Sequence, residues 1–184
     1  MVELSLGTNL ADMPDRHTLV ETERVTSERL AHLDLDFDAA NGVLSIHRAA
    51  NAARAHLTNT VLRPNGLTWT GFLVLWIVWI WKSMETRHIA DSVGISKATL
   101  TGVTNTLVDR GWVRRVPSTE DRRLVSLELT DDGITLLDEL FPAFNAVESQ
   151  IVSGFDLAEL ESMTGSLRKV VTSIEGLAEA DTSI

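Results

Sequence analysis

With 184 residues, 44% of them apolar, the chain is long enough for one domain with a buried core plus short arms. It has no cysteine, which excludes disulfides, thiolate metal sites and sensing through an oxidisable thiol. Its net charge of −10 opposes indiscriminate binding to nucleic acid, and its longest apolar run, ten residues from Phe72 to Trp81, falls short of the roughly 20 that span a bilayer.

No basic stretch followed by an apolar one opens the chain, so a cytoplasmic protein with no membrane partner is expected. Residues 1–33 form an N-terminal extension, partly helical or flexible. Gly7, Asn9 and Pro14 break any early pattern, and His17 to Leu33 suits a helix with sparse apolar residues. Asp34 to Leu62 then reads as a long helix, with Phe37, Val43, Leu44, Ala50, Ala53, Leu57 and Val61 on its apolar side. Arg63, Pro64, Asn65 and Gly66 close it.

Thr68 caps the next helix, which holds GFLVLWIVWIW. A helix apolar all round is expected to be buried all round. Met84 and Glu85 follow, suiting a short strand. From Ile89 the pattern becomes helix, turn, helix. Gly94 ends the first helix, Ile95 drops into the core, and Ser96 caps a second helix from Lys97 to about Arg110. Leu100, Val103 and Leu107 form that helix's buried stripe.

The opposite face carries Ala98, Thr101, Gly102, Asn105 and Asp109. A solvated helix would show Glu–Lys pairs there. Small residues, hydroxyls and an amide suit a helix lying in a major groove only about 12 Å wide, where Asn can pair bidentately with adenine. Lys97 and Thr99, near the positive helix end, suit a phosphate. Gly102 costs about 1 kcal/mol against Ala, which reads as room for close approach to a duplex. The competing reading is a polar surface helix with a weak spot.

Gly111 ends this helix, and two strands follow, Trp112 to Val116 and Arg123 to Leu129. Val113, Leu124, Leu127 and Leu129 are expected in the core, and Arg114, Arg115 and Glu128 in water. PSTEDRR joins the strands. Arg122 and Arg123 at that tip suit a minor groove, with Asp121 positioned to hold Arg123. From Ser96 to Arg123 six cations accompany three acids, so this segment carries +3 and the remainder −13. A basic face on an acidic body attracts phosphate locally and resists non-specific binding.

Thr130 caps a long helix from Asp131 to about Val152, which Pro142 should kink. Gly154 breaks it and Asp156 caps the last helix. There Leu160, Leu167 and Ile174 recur every seven residues, with Met163, Val170 and Leu177 between them, a seam for a second chain or for the first long helix.

These motifs resemble the MarR (multiple antibiotic resistance regulator) family of bacterial regulators. The resemblance is carried by Leu67–Thr68, by SKATLTGVTNTLVDRGWVRR from Ser96, by EDRRLVSLELTDDG from Glu120 and by the long helix after it, and it covers about 35–174. It implies a mainly α fold with a small β-wing. Residues 67–130 would be the winged helix-turn-helix DNA-binding region, 34–66 and 131–179 a helical dimerisation region, and 180–184 a tail. It also implies a homodimer on a pseudo-palindromic operator in double-stranded DNA, as a repressor or an activator, released by a small aromatic or phenolic effector. The family's polar recognition residues fall on Ser96, Lys97, Thr99, Thr101 and Asn105, and its paired wing residues on Asp121 and Arg123. A DNA-contacting set of Ser96, Lys97, Ala98, Thr99, Thr101, Gly102, Asn105, Arg115, Asp121, Arg122 and Arg123 follows. Many relatives carry Arg where Gly102 stands and an acid where Asn105 stands, so their operators do not transfer. The first 30 or so residues extend beyond the minimal family fold.

An effector would lie where the helices of the bundle converge. His47, Arg48 and Asn51, facing Trp69, Phe72 and Trp76, would suit a flat organic acid or phenol, although such aromatics also serve as core. The five histidines lack metal spacing, no cofactor motif is present, and no phosphate loop or nucleophile elbow suggests an enzyme. The alternative function is a winged-helix protein-interaction module without DNA binding.

Overall fold

Local capping chemistry sets most helix starts in this chain. The structure is a computed structural model that describes residues 18–117 and 124–181. The residues group into two units, 1–51 and 52–184.

In the first unit, Thr18 and Glu21 form a reciprocal capping box: the Glu21 N–H donates to Thr18 Oγ1 at 3.1 Å, and the Thr18 N–H donates to Glu21 Oε2 at 2.8 Å. Helix α1 follows at Leu19–Leu30, shorter at both ends than the expected His17 to Leu33. Helix α2, Phe37–Leu57, begins where Asp36 Oδ1 accepts the Ala39 N–H, three residues later than Asp34. It also ends before Leu62. The chain continues as a wider π-turn over Thr58–Leu62 and a tight 3-10 turn over Arg63–Asn65. Gly66, at φ 70°, closes the run in a left-handed conformation that costs glycine nothing.

In the second unit, Thr68 Oγ1 accepts the Gly71 N–H at 3.0 Å and starts α3, Trp69–Trp81. The expectation that α3 is buried on every side is corrected. Phe72, Val74, Leu75 and Val78 are buried, but Trp76, Ile80 and Trp81 are 38%, 53% and 66% exposed. Apolarity fixes that a helix seeks cover; it does not supply a neighbour for each face.

Strand β1, Ser83–Glu85, leads into α4, Thr86–Val93, and then α5, Lys97–Asp109. Strands β2, Val113–Pro117, and β3, Val125–Leu129, complete an antiparallel sheet in the order β1-β3-β2. Leu127 of the central strand is fully buried, opposite Met84 on one side and Arg115 on the other. Val113 is buried as expected, whereas Leu124 and Leu129 are half-buried.

Helix α6, Asp131–Ile151, runs through Pro142 as one continuous helix. Its Phe144 stacks on Phe72 at 4.4 Å, and its Phe141 meets Trp79 edge-on at 5.5 Å. Helix α7, Leu157–Asp181, starts from a second capping box, Asp156 with Glu159. Its outer apolar residues are exposed, Leu167 by 40%, Ile174 by 60% and Leu177 by 69%. Among the described residues no helix is long and apolar enough to cross a membrane.

Candidate nucleic-acid interface

Helix α5 is positioned from both ends. Gly94, at φ 70°, turns the chain out of α4, and the Ile95 N–H donates to the Ala90 carbonyl at 3.0 Å. Ser96 Oγ accepts the Thr99 N–H at 3.0 Å and shares a 2.8 Å hydroxyl pair with Thr99 Oγ1. At the far end Arg110 donates to the Gly66 carbonyl at 2.8 Å and lies over the Trp112 ring at 4.8 Å. The end of α5 is thereby fastened to the loop that starts α3.

One side of α5 is core. Leu100 and Leu107 are buried, Val103 is half-buried, and Thr104, outside the expected stripe, is also buried at 2% exposure. The other side is open. Ser96, Lys97, Ala98, Thr99, Thr101, Gly102 and Asn105 are all exposed. At Gly102 an added Cβ would meet nothing within 4 Å, so the fold itself does not demand glycine there.

The polar groups of this flank are partly committed. Thr101 Oγ1 donates to the Lys97 carbonyl at 2.9 Å, leaving its lone pairs and methyl group outward. Asn105 Oδ1 accepts from Arg115 Nη2 at 2.5 Å. This corrects the expectation that both wing arginines face water. Successive strand residues point to opposite sheet faces. Arg114 therefore pairs with Glu128 across the strands at 2.8 Å, while Arg115 turns to α5. Asp121, Arg122 and Arg123 lie outside the described residues.

A single threonine joins the base of the sheet to α6. Thr130 Oγ1 donates to the Gly111 carbonyl, accepts the Gly133 N–H at 3.1 Å, and the Thr130 N–H donates to the Trp112 carbonyl at 3.1 Å. A Cβ at Gly133 would stand 2.0 Å from the Trp112 carbonyl oxygen, so the close approach requires glycine.

Comparison with known proteins bears on this arrangement. Residues 67–125, the helix-turn-helix and most of the wing, match the MarR family. The uncharacterized HTH-type transcriptional regulator YwaE of Bacillus subtilis is 36% identical over 140 residues, which cover 76% of this chain and 82% of that protein. The chain belongs to the MarR family of transcription regulators. Transcriptional repressor MprA of Escherichia coli is 27% identical over 126 residues, covering 66% of this chain and 70% of that protein. The fold is similar to that of a Cys-to-Ser mutant of MarR from E. coli complexed with operator DNA, with TM-score 0.67, 22% identity, and 75% of this chain and 99% of that one covered. It is also similar to BpsR of Bordetella bronchiseptica, solved for regulation of its DNA binding by 6-hydroxynicotinic acid, with TM-score 0.63, 26% identity, and 71% and 97% covered.

Within this MarR-type fold the expected effector residues fall in separate units. In the first unit His47 and Asn51 are exposed and Arg48 is half-buried. In the second, Trp69 is half-buried, 6.4 Å from the Phe144 ring, and Trp76 is on the exposed edge of α3. Phe72 is corrected from pocket wall to core, because its ring is buried against Phe144.

A cavity of about 400 Å³ lies between the start of α4, α5 and the strands. Lys97, Thr101 and Arg115 border it, and so does Glu85, paired with Arg87 at 2.8 Å. The buried Thr104 hydroxyl beside it has no hydrogen-bond partner. Sequence reasoning missed this cleft, since its walls come from segments distant along the chain. Among the described residues no group of three or more His, Cys, Asp or Glu is placed to hold a metal.

Proposed function

We propose that the chain is a homodimeric, sequence-specific repressor that binds a pseudo-palindromic operator in double-stranded DNA. The observation that carries this reading is the flank of α5: Ala98, Thr101, Gly102 and Asn105 are exposed together, opposite the buried Leu100 and Leu107. A nearly uncharged, small-residue surface with polar groups at one-turn spacing fits base edges in a major groove. Lys97, Ser96 and Thr99 flank it at the positive helix end, where phosphate is favoured. Arg122 and Arg123, from their place in the sequence, would hold the adjoining minor groove with Asp121 orienting Arg123.

The exposed Leu167, Ile174 and Leu177 on α7 support a second copy as the partner, since such a stripe is costly to leave in water. Two copies would present α5 at half-sites about 10 bp apart. The operator-bound E. coli MarR supports a duplex as the target of this fold. BpsR, regulated by 6-hydroxynicotinic acid, supports release by a small aromatic anion. Such an effector would act through unequal affinity for two spacings of the paired α5 helices. The cleft beside Lys97 and Arg115, with its unsatisfied Thr104 hydroxyl, is a second place for it besides His47, Arg48, Asn51, Trp69 and Trp76.

Selection of bound duplexes from a random pool tests the reading. An enriched inverted repeat is expected, with affinity falling steeply as salt rises. If Arg122→Ala/Arg123→Ala leaves duplex affinity unchanged at every salt concentration, the chain works instead as a protein-interaction module.

A further inference from the structure

The Arg115–Asn105 contact determines which end of the Asn105 amide is free. A guanidinium carries only donors, so the atom it meets must be the amide oxygen. Arg115 itself is firmly placed. It lies opposite the fully buried Leu127 in the strand ladder, and Arg114 beside it is held on the other sheet face by Glu128. Asn105 stands one turn after Thr101 on the exposed flank of α5. With Oδ1 held by the wing strand, Nδ2 and its two N–H groups are the available end.

An asparagine with both ends free pairs with adenine, giving a hydrogen to N7 and accepting one from N6. A restrained oxygen removes the accepting half of that pair. Guanine instead presents two neighbouring acceptors, N7 and O6, on its major-groove edge. We propose that Arg115 is a specificity-determining, positioning residue: by holding Asn105 Oδ1 it converts Asn105 into a donor that selects guanine over adenine at one position of each half-site. This rests on the DNA-binding reading above and deepens it. Departure of Arg115 to a phosphate on binding would restore the adenine pair, so the two behaviours leave different sequences behind.

The test is duplex selection with the full chain as wild type, Asn105→Ala, Arg115→Leu and Arg115→Lys. Asn105→Ala, an exposed helical change, is expected to flatten the preference at one position per half-site and so mark the base that Asn105 reads. Guanine is expected at that position in the wild type. Arg115→Leu should shift the guanine-to-adenine ratio there by about tenfold toward adenine. Arg115→Lys, which still donates to Oδ1, should keep guanine. Where Arg115 also meets a phosphate, its replacement lowers affinity for all duplexes alike and leaves the ratio untouched. Adenine at the marked position in the wild type, a ratio unmoved by Arg115→Leu, a guanine preference abolished by Arg115→Lys, or no flattened position in Asn105→Ala each overturns the inference alone. A wild-type selection without any enriched sequence overturns the DNA-binding reading and this inference together.

Discussion

Helices α5 and α7 both carry apolar stripes, and the chain treats them differently. On α5, Leu100 and Leu107 are about 97–98% covered by α3, α4 and the sheet, and what remains outside is small and polar. On α7, Ile174 and Leu177 are 60% and 69% exposed. One helix is completed by its own chain. The other is completed by something that chain does not contain in a single copy. A DNA-reading element has to hold its shape before the duplex arrives, whereas an assembly element has to leave its apolar face available.

Breaking this contrast should give effects of graded size. Leu107→Ala removes buried packing under α5 and is expected to cost about 2–5 kcal/mol in urea unfolding, the largest change. Ile174→Glu/Leu177→Glu on α7 should weaken self-association by about a hundredfold, read by sedimentation equilibrium, with the helical circular-dichroism signal retained. Equal association of that variant and the wild type would mean that α7 is not the assembly surface. Gly102→Ala is the smallest and most discriminating change. No atom opposes the added methyl group, so thermal stability should rise by up to about 1 kcal/mol. Duplex affinity should fall at the same time, because the methyl group occupies the space that close approach needs. A stability gain with unchanged affinity would make Gly102 an ordinary weak spot.

Local chemistry was legible from the residues. Thr68, Ser96, Thr130 and Asp156 cap the helices they precede, and Gly94 ends α4, because each effect reaches only three or four residues along the chain. Capping also held surprises of detail: the Thr18–Glu21 box shortens α1, and Asp36 rather than Asp34 opens α2. What stayed hidden depends on neighbours distant in sequence. The ten-residue apolar run of α3 could not announce that Trp76 and Ile80 lie outside, since apolarity is silent about where cover exists. Phe72 looked as fit for a ligand wall as for the core until Phe144 was placed against it. The Arg115–Asn105 contact had a partial signal, because a strand must send Arg114 and Arg115 to opposite faces. Only the register Arg115↔Leu127 shows that one of those faces is beneath α5.

Thr130 ties the two regions mechanically. Its hydroxyl donates to the carbonyl of Gly111, just past the DNA-reading helix, while accepting an orphan N–H of the first turn of α6, at Gly133. The missing Cβ of Gly133 lets the two backbones sit closer than any other residue permits. With no slack at this joint, a tilt of α6 is carried into α5 as a lever arm would carry it. Movement in the helical half of the molecule therefore arrives at the groove-facing flank as rotation of a rigid rod, undiminished by the loop between them.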